Sequence, residues 1–146
     1  MNGKAASIIA GLAILAGASM AAEIAINSSV TGNVDWNSAI WGSPAAAPTG
    51  GNDYVHDDSS TANLLGLGSF GAFAGDSLTL DSGATLFNKG GGALGGDLIL
   101  NGGQWQTRSG GTAIVSGGVD VETTSRILLI DGNMQLDAGL SGTSNA

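Results

Sequence analysis

The feature that most constrains this chain is a repeat. SLTLDSG, Ser77 to Gly83, returns as DLILNGG, Asp97 to Gly103. Leu78 and Leu80 recur as Leu98 and Leu100, and again as Val119 and Val121. A second series runs between them: ATLFN from Ala84, QWQT from Gln104 and RILLI from Arg126. A weaker third follows as GAL from Gly92, AIV from Ala113 and MQL from Met134. Turn residues (DSG, NGG, SGG, DGN) separate the series. Each period therefore holds three short strands and three bends. Self-similarity at a step of about 20 residues is the mark of a solenoid. Three strands of three to five residues per turn predict a parallel β-helix, each strand pairing with its equivalent about 4.8 Å along the coil.

Alternation at period two then assigns the faces. Leu78, Leu80, Leu98, Leu100, Val119 and Val121 point inward; Thr79, Ile99 and Asp120 point out. Glycines serve the bends because they accept positive φ without a Cβ penalty. An antiparallel sandwich of hairpins could use the same turns, but hairpins need no constant register of about 20 residues. Helix is disfavoured because glycine, 26 of 146 residues, interrupts every long window.

The amino terminus reads differently. MNGK, then AASIIAGLAILAGA, then SMAA has the basic start, short apolar centre and small-residue exit of a secretory signal. The run is short and Ala/Gly-rich for a span of about 20 residues. Residues 1–22 are assigned to this signal, with cleavage after Ala21 or Ala22. The expected product is exported, to the cell surface or beyond, with no membrane insertion after signal removal. It keeps three basic residues, Lys89, Arg108 and Arg126, against twelve acids. That balance argues against an electrostatic grip on nucleic acid or on anionic lipid. The chain has no cysteine, which excludes disulfides and thiolate metal sites.

Residues 23–74 read as an amino-terminal cap and entry rung, and 75–146 as the rungs. The cap holds both prolines and two of the three tryptophans, Trp36 and Trp41. An uncovered rung is an open sheet edge, so a solenoid needs such a cap. DYVHD at Asp53–Asp57 is a candidate rung zero, and NLLGLGSFGAF supplies apolar residues to plug the end. By the same logic the final rung, before GLSGTSNA, invites self-association through its exposed edge.

WNSAIWG, GGNDYV, FAGDSLTLDSGATL and LILNGGQW, behind a signal segment, resemble the autotransporter-type or autotransporter-associated β-helix repeat proteins of environmental bacteria such as Verrucomicrobia and Planctomycetes. The resemblance covers nearly the whole mature chain. It implies a right-handed parallel β-helix outside the cell, adhesive in role, as the amino-terminal piece of something longer. It carries over no catalytic residue.

Candidate sites are few. β-Helix enzymes acting on polysaccharides converge carboxylates, often with a base, on one outward face; the first strand series offers Asp120 alone. No catalytic, cofactor or metal site is read, and the chain is expected not to be an enzyme, unless it is the non-catalytic start of a longer one. Asp53, His56, Asp57 and Asp58 form the densest polar group. They meet no ligand spacing and read as a solvated turn leaving a strand. DGNMQLD, Asp131 to Asp137, opens like a calcium loop but lacks its full ligand pattern. Trp36, Trp41 and Tyr54 are candidate glycan contacts, since aromatic faces stack on sugars; the competing role is packing the cap onto the first rung. Trp105 can be read as facing either way.

Overall fold

The computed structural model describes residues 21–142. The expected signal segment thus lies outside the described residues, apart from Ala21 and Ala22. The fold is an all-β solenoid. Among the described residues every regular element is a strand, numbered along the chain, save one 3-10 turn at Gly68–Phe70. The strands form three parallel sheets.

The six-stranded sheet stacks β1 (Ala22–Ala25), β3 (Asn52–His56), β5 (Ser77–Asp81), β8 (Asp97–Asn101), β11 (Val119–Val121) and β14 (Leu140–Gly142). The five-stranded sheet stacks β2 (Thr31–Asp35), β4 (Thr61–Leu67), β6 (Thr85–Lys89), β9 (Gln104–Arg108) and β12 (Arg126–Leu129). The third sheet holds β7 (Ala93–Leu94), β10 (Thr112–Val115) and β13 (Asn133–Leu136). From β5 onward the chain visits the three sheets in turn, whereas β1 to β4 alternate between the six- and five-stranded sheets; strands adjacent in a sheet lie one circuit apart.

The register matches the repeat. Leu78 pairs with Leu98, Leu98 with Val119 and Val119 with Leu140. Leu78, Leu80, Leu98, Leu100 and Val119 are fully buried, and Val121 is half-buried. Thr79, Ile99 and Asp120 form the neighbouring outward column. Glycine sits where rungs nearly touch. At Gly103, for example, a Cβ would stand 2.6 Å from the Leu80 carbonyl oxygen, closer than any side chain tolerates.

Pairing also runs further toward the amino terminus than the periodicity reached. β1 pairs with β3 and β2 with β4, and β3 and β4 continue into β5 and β6. Residues 23–74 are therefore coil as well as cap. The circuit from Ile24 to Tyr54 is the longest, and that from Tyr54 to Leu78 still exceeds the later ones. The first is long because residues 36–51 are inserted between β2 and β3. This insertion closes the amino end. Trp41 bridges Ile26 and Ala46 in antiparallel fashion, Gly42 N donates to Ala25 O (2.8 Å) and Asn27 N to Ile40 O (2.7 Å). Its aromatic rings fill the first turn.

At the carboxyl end the inward columns run out. Leu129 continues the buried Asn88–Thr107 column, and Leu140 the Leu78–Leu98–Val119 column. Yet they are 63% and 61% exposed, because no described rung lies above them.

Candidate functional site

The three candidate aromatics come together, but inside. Trp36, Trp41 and Tyr54 are 0%, 1% and 2% exposed. Trp41 meets Tyr54 edge-on at 5.1 Å, and Phe73 lies 5.6 Å from both Trp36 and Tyr54. Trp41 Nε1 donates to Trp36 O (2.9 Å), and the Tyr54 hydroxyl accepts from Thr49 N (2.8 Å). A sugar needs an open ring face. These rings have none, so they form the plug of the coil and not a glycan platform.

The expected solvated turn at 53–58 is corrected in part. His56 is 1% exposed and lies in the inward column beside Leu80 of the next rung. Its Nε2 lies 2.8 Å from Ala62 O and its Nδ1 3.0 Å from Asp57 O. Each ring nitrogen thus faces a backbone carbonyl oxygen inside the coil, and a neutral ring can donate to only one of the two. Asp53 accepts from Ser77 Oγ (2.7 Å), and Asp57 from Ser59. Asp58 is exposed. Asp131 lies in a bend and Gln135 Nε2 donates to Asp137 Oδ1 (2.7 Å). Among the described residues no three His, Asp or Glu side chains are grouped to hold a metal ion.

The surface carries its polar groups in an ordered strip. Five strands of the six-stranded sheet each present an acid: Glu23, Asp53, Asp81, Asp97 and Asp120. Stacked carboxylates about 4.8 Å apart repel; Glu23 and Asp53 are direct partners, but further along the coil neutral donors stand among the acids. Ser77 stands between Asp53 and Asp97 in one column. Asn101 Nδ2 donates to Asp81 Oδ1 (2.9 Å). Gly118 N donates to Asp97 Oδ1 (2.7 Å) and Gly51 N to Asp76 Oδ1 (2.9 Å). All three basic residues of the described chain, Lys89, Arg108 and Arg126, belong to the five-stranded sheet.

Along the corner between these two sheets runs a cleft open to solvent, about 590 Å³ in volume, lined by Asp58, Asp81, Ser82, Asn101, Thr123 and Thr124. Through Gly102 and Thr124 it adjoins a second hollow of about 300 Å³ that reaches Gln104 and Arg126. The bends that line it are the DSG, NGG and TTS turns of successive rungs. Each turn places its short polar side chains at the same corner, one rung above the last. This arrangement offers carboxylate acceptors, an amide and hydroxyls at the cleft and a guanidinium at its neighbour. That is the chemistry of hydrogen bonding to a polyhydroxylated chain.

Sequence reasoning passed over this corner because each turn is ordinary by itself. Only the register makes the turns neighbours. It also missed a cation–π stack on the outer five-stranded sheet. The Arg108 guanidinium lies 4.7 Å from the Phe87 ring centre, held by two hydrogen bonds to Gln106 Oε1 of 3.0 and 2.9 Å. Trp105, readable either way from sequence, faces inward at 1% exposure, and its Nε1 donates to Asn88 Oδ1 (2.6 Å). No protein-family model matches the chain. No curated protein matches it, and no solved structure does.

Proposed function

We propose that this chain is an exported structural or adhesive β-solenoid module, displayed at the cell surface or outside the cell, which works by contact and not by catalysis. The observation that carries this reading is the corner cleft with Asp58, Asp81, Asn101, Thr123 and Thr124. Its groups are spread along the coil at rung spacing, which suits an extended polymer better than a single small substrate. The carboxylate of Asp81 is engaged by a neutral amide, so the cleft is equipped to hold hydroxyls. The signal-like amino terminus and the excess of acids agree with an extracellular setting.

A glycan array on the purified chain tests the contact, and protease shaving of intact cells tests the display. Binding to a polysaccharide class that is lost in Asn101→Ala and Asp81→Ala, with the circular dichroism unchanged, supports the module. Substrate turnover, or retention of the chain inside the cell, overturns it.

A further inference from the structure

The bases of this acidic chain are few, and they are gathered on one flank. Lys89 on β6, Arg108 on β9 and Arg126 on β12 occupy successive strands of the five-stranded sheet. The strands β4, β6, β9 and β12 hold no acid. Every acid on a described strand save Asp35 belongs to the six-stranded sheet. Lys89 and Arg108 are direct register partners, about 4.8 Å apart along the coil. Like charges placed so are destabilising. The acidic sheet sets Ser77 and Asn101 among its acids, but this column has no such relief. Its member before Lys89 is Leu67, and among the described residues no ion pair engages Lys89, Arg108 or Arg126. Arg108 is also fixed in advance. Its Nε and Nη2 donate to Gln106 Oε1 at 3.0 and 2.9 Å, Gln106 is itself 5% exposed, and the guanidinium lies 4.7 Å from the Phe87 ring centre. Those two bonds leave the rest of its five N–H donors for another acceptor.

We infer that this flank is a binding surface for an anionic polysaccharide lying along the coil. Its carboxylates or sulfates sit on Lys89 and Arg108, and its sugar rings lie against Leu65 and Phe87. Three observations select this ligand. First, the two cations stand one rung apart, close to the advance of a polysaccharide by one sugar unit. Second, the column beside them is apolar: Leu65 pairs with Phe87, and both are half-buried, which suits the C–H faces of sugar rings. Third, a guanidinium already held by stacking and hydrogen bonds loses little freedom on taking an oxyanion, and its planar fork matches one. Two adjacent cations are too few for nucleic acid, which is gripped through many phosphates. The inference is independent of the corner cleft, which neither Lys89 nor Arg108 lines.

The test is isothermal titration calorimetry of the full chain with polygalacturonate and with dextran sulfate. Uncharged dextran and polyglutamate serve as comparators. Binding to at least one of the two anionic glycans is expected, weakening as salt is added, and the tighter of them assigns carboxylate or sulfate. Arg108→Ala and Lys89→Ala should each lower that affinity about tenfold or more. Arg108→Lys keeps the charge but loses the fork and the stack, so its affinity should fall between. Dextran should not distinguish the parent chain from Arg108→Ala. Unchanged circular dichroism confirms the fold of each variant. No binding to either anionic glycan, an affinity that survives both alanine substitutions, or equal binding of polyglutamate would each overturn the proposal.

Discussion

Asn88 places an amide in the centre of the coil, and its replacement is the sharpest test of how the interior is held together. The side chain is 5% exposed. Its Oδ1 accepts from Trp105 Nε1 at 2.6 Å, and its Nδ2 donates to Gly92 O at 3.2 Å, with Gly66 O at 3.5 Å. It fits because two of its neighbours are glycines. A Cβ at Gly66 or at Gly92 would stand 2.8 Å from Asn88 Nδ2. Asn88→Leu keeps the branched shape at a somewhat larger volume and removes the polar atoms. It leaves the buried Trp105 Nε1–H without a partner, at a cost of about 1–3 kcal/mol, while Gly92 O keeps its bond from Ile114 N (3.2 Å). The expected loss is about 1–3 kcal/mol, read from urea unfolding followed by far-ultraviolet circular dichroism, with the denaturant slope unchanged. Trp105→Phe removes the orphaned N–H. In the double variant the two changes should therefore cost less than their sum by about 1 kcal/mol or more. Strict additivity, or a loss below about 0.5 kcal/mol for Asn88→Leu, would show that the Trp105–Asn88 bond does not organise the core.

Face assignment is checked by neighbours on one strand: Leu100→Asp should abolish folding, because the charge enters a closed interior, whereas Ile99→Asp should shift the melting temperature only slightly. The glycine pair Gly95 and Gly96 separates close approach from propensity. A methyl at Gly96 would overlap the Asp76 carbonyl, while Gly95 has open space around it, so Gly96→Ala should cost about 1–3 kcal/mol and Gly95→Ala almost nothing in the same unfolding assay. Trp41→Ala should cost about 3–5 kcal/mol and raise amide hydrogen exchange first in β1 and β3, and equal protection across the coil would refute the plug.

The coil was legible because its inward leucines and its turns repeat together, so that two independent signals share one period. Of the first two circuits only DYVHD was legible, as a rung zero that pairs with β5, and the rest was hidden for a physical reason. The inserted loop at 36–51 lengthens one circuit, and the segment from Gly68 to Asp76 lengthens the next, so Ile24 and Tyr54 fall off the grid that the later rungs keep. The aromatics were harder. A tryptophan on a strand of alternating residues carries its own direction only if its neighbours are unambiguous. Trp105 lies between two glutamines, and one of them, Gln106, is itself 5% exposed beneath Arg108. His56 misled because Asp57 and Asp58 follow it. Its inward direction is set by pairing with Leu80, a full circuit further along the chain. The corner cleft was invisible for the same reason, since it exists only between rungs.

The register has a mechanical consequence. In a coil of this kind the backbone bonds between circuits point along the long axis, so a pull on the two ends loads them in opening and not in shear. The bonds of one circuit can yield before the next is strained. Each opened circuit would release a tether of roughly 70 Å, many times the rise it occupied. A force trace from a single tethered molecule should accordingly show a series of small, nearly equal yields, where a single rupture would mark a body that breaks as one. Anchored at one end and bound to a surface along its flank, such a coil would let out length under load and rewind when the load falls, a ratcheted spring more than a rigid post.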